Sequence, residues 1–148
     1  NKTSRLYRAL VESELTVGMS GGAQATIDPY LYSIVMVIHP EKTPAEALAA
    51  LDAEIARVQD EKISEEEVTR AVKQAKALFA YGSESITNQG FWMGYTEMFA
   101  DYEWFENYLD NLAAGTPEDV QRVAKKYFQK KARVVGTYLP VNEENINE

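Results

Sequence analysis

The 148-residue sequence predicts one α+β domain, an antiparallel sheet packed on one face by several helices. Three observations carry that reading. A period-two stretch, Leu15–Ile27, is followed after Asp28-Pro29 by a nearly continuous apolar run, Tyr30–Ile38. A series of helices then opens on recognisable caps. Last, Arg133–Leu139 returns to strand composition before Pro140.

Taken in order, Ser4–Glu14 reads as a short helix with Leu6, Ala9 and Leu10 on one side and Ser4 as N-cap. In Leu15–Ile27, Leu15, Val17, Met19, Gly21, Ala23, Ala25 and Ile27 share the inward face, with Thr16, Gly18, Ser20, Gly22, Gln24 and Thr26 outward. Gly21-Gly22 is expected to bend or bulge the strand. Asp28-Pro29 makes a tight turn, so the two strands pair antiparallel. The β-branched run Tyr30–Ile38 reads as a central strand buried over much of both faces.

Thr43-Pro44-Ala45-Glu46 is a capping box with Pro at the first helical position. Its helix extends to about Glu61, with Leu48, Leu51, Ile55 and Val58 inward. Ser64 and Glu67 form a second capping box, about 1 kcal/mol for the cap. The helix that follows turns Val68, Val72, Ala75 and Phe79 to one face. Gly82–Ser85 and Thr87–Gly90 lead into an aromatic helix. Asp101 caps a further helix bearing Trp104, Phe105, Tyr108, Leu109 and Leu112, stopped by Gly115. Thr116-Pro117-Glu118-Asp119 opens the last, with Val120, Val123, Ala124 and Tyr127 inward. Residues 1–140 form the domain, and 141–148 are an acidic tail expected to fray.

Composition narrows the function. A net charge of −8 argues against nucleic acid or an anionic membrane as partner. No apolar run approaches the ~20 residues of a membrane span. Cysteine is absent, which removes disulfides, thiol nucleophiles and thiolate metal sites. No candidate for chemistry stands out. His39 is the only histidine and reads as a strand-end residue without a role. Neither HExxH nor HxxEH occurs. Glu65, Glu66 and Glu67 read as a solvated helix N-terminus, favoured by the helix dipole. Asp28 is a turn residue. Ser20 lacks the flanking pattern of a nucleophile turn, and Gly21-Gly22 lacks the Lys-Ser/Thr of a phosphate loop. Phe91, Trp92, Tyr95, Phe99, Tyr102, Trp104, Phe105 and Tyr108 have helical spacing and read mostly as core, with any surplus marking a domain interface.

A family resemblance takes the reading further. Ser4-Arg5-Leu6-Tyr7-Arg8-Ala9-Leu10-Val11-Glu12 resembles the SRLY helix of the M16 (insulinase/pitrilysin-like) zinc metallopeptidases. Ala75-Lys76 with Phe79, Ser85 and Asn88-Gln89 is similar to a helix and turn of the same family. So are Asn107–Asp110, the helix Thr116–Tyr127 and the closing segment Arg133–Pro140. The segments occur in family order over nearly the whole chain.

The resemblance implies a homologous α+β domain of a clam-like peptidase chamber. In that family one domain carries zinc on HxxEH and a distal Glu, and a second, non-catalytic domain helps close around the peptide. Lacking HxxEH, this chain resembles the C-terminal non-catalytic type, without its opening strand and first helix, which would precede Asn1. Many second domains supply an Arg and a Tyr, seven positions apart, after the SRL helix. Aligning Ser4-Arg5-Leu6 places Val11 and Gly18 there, so that pair is degenerate. The implied expectations are no catalytic residue and no metal in this chain, and zinc in the parent protein's catalytic domain. The implied partners are an HxxEH-bearing domain or subunit, a peptide substrate, and a second copy of the chain as homodimer. Two other readings stand beside this one: a structural or assembly subunit without proteolytic activity, and an autonomous ligand-binding domain using the aromatic surplus.

Overall fold

The computed structural model describes residues 2–24 and 26–140. The expected tail 141–148 lies outside them. The fold is α+β: one antiparallel two-stranded sheet, β1 (Thr16–Ala23) and β2 (Tyr32–Ile38), and five helices. These are α1 (Pro44–Asp60), α2 (Glu65–Gly82), α3 (Ile86–Phe99), α4 (Tyr102–Ala113) and α5 (Pro117–Tyr127). Ahead of the sheet, Tyr7–Glu12 forms a wider, π-type helix. Just ahead of it, Ser4 Oγ accepts from Tyr7 N at 3.2 Å, while the N-cap position, Leu6, makes no side-chain cap bond. Glu14, at φ 58°, turns the chain from this helix into β1.

The predicted N-caps of α1, α2, α4 and α5 are present. Thr43, Ser64 and Thr116 each close a reciprocal capping box, and Asp101 accepts from Trp104 N at 2.7 Å. Ser85 caps α3, which begins at Ile86, so Asn88-Gln89 lie within its first turn. Gln89 still fixes the approach, its side chain donating to Ser83 O at 2.8 Å. Gly115 follows α4 without a positive φ, so that helix ends without the left-handed glycine cap.

The sheet departs from expectation in four ways. β1 ends at Ala23 and β2 begins only at Tyr32, a wider gap than the predicted two-residue turn; Pro29 cannot donate to a ladder, which keeps the strands from closing on it. The irregularity lies between Thr16 and Gly18, while Gly21 and Gly22 stay in register opposite Ile34 and Ser33. Because side chains alternate with period two, that extra residue reverses the faces below it. Thr16 is 2% exposed and Val17 57%, opposite to the alternation read from sequence. Third, β2 is not buried on both faces. Ile34, Met36 and Ile38 are half-buried, whereas Val35 and Val37 are exposed.

The fourth departure is Arg133–Leu139, which forms no strand. A ladder needs a neighbour, and this segment pairs with neither β1 nor β2. Val134 and Tyr138 are almost fully exposed.

The tight core lies where the π-type helix, β1, α1 and α5 meet. Leu10, Ala47, Leu51 and Ala124 are its buried apolar residues. Polar pins reinforce it. Gln59 Nε2 donates to Ala124 O (3.1 Å) and Phe128 O (2.8 Å), and Gln121 Nε2 donates back to Gln59 O (2.9 Å). Arg133 and Lys130 both pair with Asp52, holding this segment against α1 and keeping the Asp52 carboxyl below the usual range. Tyr127, read as inward, is exposed. The inward stripe of α5 contracts to Pro117, Ala124 and the half-buried Gln121.

Candidate functional site

Three regions hold the residues with chemical potential. The first is a cleft between the π-type helix, α1 and α2, lined by Arg5, Arg8, Ala9, Glu54, Arg57, Glu67 and Arg70, about 590 Å³ in volume. Its anchor is a bidentate pair. Arg5 Nε donates to Glu67 Oε1 at 2.9 Å and Arg5 NH2 to Oε2 at 2.8 Å. Glu67 is also the reciprocal member of the α2 capping box. The Arg5 hydrogen bonds, aided by Ser64 N–H and by the charges of Arg5 and Arg70, hold its carboxyl down at about 2. The same contact raises the Arg5 guanidinium further. Arg57 pairs with Glu54 one turn away on α1. Arg8 donates to Thr3 O at 3.0 Å. Reading Glu65, Glu66 and Glu67 as one solvated run missed Glu67, because its partner is 62 residues away.

The second region is aromatic. Phe91, Trp92, Tyr95, Phe99, Trp104, Tyr108, Phe79, Phe105 and Tyr102 touch in an unbroken series across α3, α4 and the end of α2, centroids 5.1–6.4 Å apart. Helical spacing brings the rings together, as expected, but does not make them core. None is fully buried, and Phe91 is 60% exposed. The short helices α3 and α4 cover one another and the end of α2, and no further described layer lies over them. An open apolar cleft continues from Tyr95, Met98 and Phe99 to Ile27, Pro29 and Tyr30 of the β1–β2 connection.

The third region holds Val11 and Gly18, the two positions where the sequence resemblance implies a degenerate Arg/Tyr pair. Val11 is half-buried in the π-type helix and Gly18 lies in β1 at the register irregularity. A Cβ on Gly18 would meet nothing within 4 Å, so space does not dictate glycine there. The remaining sequence candidates stand apart. His39 ends β2, with Nδ1 accepting from Glu41 N at 3.3 Å. Ser20 is exposed on β1, and the Asp28 carbonyl accepts from Thr26 Oγ1 at 2.6 Å. Donor chemistry does not suit zinc: the chain has one His and no Cys, and no three acidic, His or Cys side chains converge among the described residues. No helix among those residues is long and apolar enough to cross a membrane.

Comparison with known proteins places this architecture. A family model described as the Peptidase M16 inactive domain matches residues 1–75. The fold is similar to that of a candidate zinc protease from Bordetella pertussis Tohama I, with TM-score 0.81 and 26% identity, over 95% of this chain and 78% of that one. It is equally similar to the inactive peptidase domain of a candidate zinc protease from Bordetella parapertussis, at TM-score 0.83 and 26% identity, over 95% and 75%. A protease from Helicobacter pylori shares the fold alone, at TM-score 0.82 and 18% identity; the match takes in 89% of this chain but 32% of that one. Comparison with curated proteins returns no match. The model's match to half of the sequence, from the SRLY helix into α2, shows that this chain belongs to the M16 peptidase family as its inactive, C-terminal domain.

Proposed function

We propose that this domain is a non-catalytic wall of a zinc metalloendopeptidase chamber, closing around peptide substrates while an HxxEH-bearing domain or subunit performs the hydrolysis. Membership of the inactive-domain family carries this reading. The uncovered apolar surface supports it. The outer face of the sheet, with Val35 and Val37, and the ring series of α3 and α4 present large side chains that a neighbouring domain would bury. Zinc belongs to the catalytic domain, where it would polarise the scissile carbonyl and activate water; no step is routed through this chain.

Val11 and Gly18 stand where many relatives place the Arg and Tyr that stabilise charge at that carbonyl. Neither side chain can donate a hydrogen bond, so in this reading the domain contributes enclosure rather than charge stabilisation. The unpaired sheet edges, together with the strand-like composition of Arg133–Leu139, suit pairing with a strand of a neighbouring domain or of a second copy.

Co-expression tests the proposal. An HxxEH-bearing domain encoded in the same or an adjacent gene is combined with this chain, and hydrolysis of a quenched fluorescent peptide library is followed. Chelator-sensitive hydrolysis that requires both components is expected. Absence of any HxxEH-bearing reading frame alongside this one would instead point to a structural subunit.

A further inference from the structure

We infer that the arginine-lined cleft between the π-type helix, α1 and α2 is a docking site for the carboxylate side chains of an acidic peptide segment. The chain carries a net charge of −8, yet this cleft gathers Arg5, Arg8, Arg57 and Arg70 around only Glu54 and Glu67. Among the lining residues cations outnumber carboxylates by two, with Glu61 also within electrostatic range of Arg5. The internal pairs are committed, Arg5 with both oxygens of Glu67 and Arg57 with Glu54. Arg8 and Arg70 remain as charges without a carboxylate in hydrogen-bond contact among the described residues. Glu66, one turn before Arg70, and Glu12, four residues after Arg8, form no ion pair among those residues.

The ligand class follows from the donors. A guanidinium offers a planar fork that matches a carboxylate with two parallel hydrogen bonds, and Arg5 already grips Glu67 in that way within the same cleft. The two arginines come from different elements, Arg8 from the N-terminal helix and Arg70 from α2, and the Arg5–Glu67 pair ties those elements together. The Arg5–Glu67 pair therefore holds in place the two elements that carry the site, which lowers the ordering cost of binding. An open volume of about 590 Å³ admits extended chain rather than enclosing a small ion. The inference does not depend on whether the domain walls a peptidase chamber.

The test titrates the full chain against a fluorescein-labelled hexaglutamate peptide by anisotropy. A hexaglutamine peptide and inorganic phosphate serve as comparison ligands. Arg8→Gln/Arg70→Gln removes the two uncommitted charges and leaves the Arg5–Glu67 pair, and a matched thermal melt verifies its fold. Lys125→Gln/Lys131→Gln removes equal charge elsewhere. Saturable binding of hexaglutamate is expected, weakened about tenfold or more by the arginine pair, as loss of charge-assisted hydrogen bonds implies, and by less than about twofold by the lysine pair. Equal weakening by both double variants, no binding of hexaglutamate by the unmodified chain, or binding of phosphate without the peptide would each overturn the inference.

Discussion

The two ends of α2 lie in differently built regions. At its N-terminus, Glu67 is locked to Arg5 beside a core in which Leu10, Ala47, Leu51 and Ala124 are buried and side-chain amides pin α1 to α5. At its C-terminus, Phe79 enters a series of rings in which every member keeps some surface in water. The first region is stabilised by what it buries within itself. The second makes its contacts ring against ring and leaves its outer faces for something else to cover. Self-sufficient packing supports the scaffold, and unfinished packing suits the domain interface proposed above.

The largest expected effect that would break this contrast is in the first region. Leu10→Ala removes a fully buried side chain and is expected to cost about 2–4 kcal/mol in chemical denaturation. A loss under about 1 kcal/mol would mean that the apparent core does not hold the fold. Phe79→Ala is expected to cost less, about 2 kcal/mol, because its ring is half-buried. Its sharper signature is regional. Amide exchange is expected to accelerate in α3 and α4 while α1 and α5 keep their protection. Uniform acceleration would erase the distinction between the two ends.

Electrostatics sharpens the contrast further. Glu67 titrates at about 2 in the folded chain against an ordinary 4.5. A depressed carboxylate stabilises the fold above its unfolded pKa, and that contribution is lost as pH falls from about 4.5 toward 2. Because the pair is partly exposed, about 1–2 kcal/mol is expected rather than the full value of the shift. Arg5→Gln should remove it, flattening the acid limb of stability in this window while changing stability at pH 7 by a similar amount. An unchanged acid limb would place the linkage elsewhere. The smallest effect is expected at Thr16, whose buried Oγ1 has no hydrogen-bond partner among the described residues. Thr16→Val keeps the shape, relieves that unpaired hydroxyl and should raise stability by about 1 kcal/mol, read from the thermal midpoint.

How far the sequence could be read follows from the range of each interaction. The caps at Thr43, Ser64, Asp101 and Thr116 were legible because donor and acceptor lie within three residues. The SRLY helix and the inactive-domain assignment were legible because motif order survives without a structure. The inward face of β1 was misjudged below Gly18, since a bulge is decided by the partner strand and not by alternation. The strand expected at Arg133–Leu139 has the right composition but no neighbour to pair with among the described residues. The charged cleft stayed hidden because Arg5 and Glu67 are linked across 62 residues, and no local spacing reports a contact of that range.

The proposed function puts the zinc chemistry outside this domain. The direct measurement is the zinc content of the purified chain after dialysis against chelator and readdition of zinc, with peptide hydrolysis followed on the same sample. Substoichiometric zinc and hydrolysis at the buffer rate are expected, given one His, no Cys and no converging ligand set among the described residues. One zinc ion retained per chain, with chelator-sensitive hydrolysis by the isolated domain, would contradict the account.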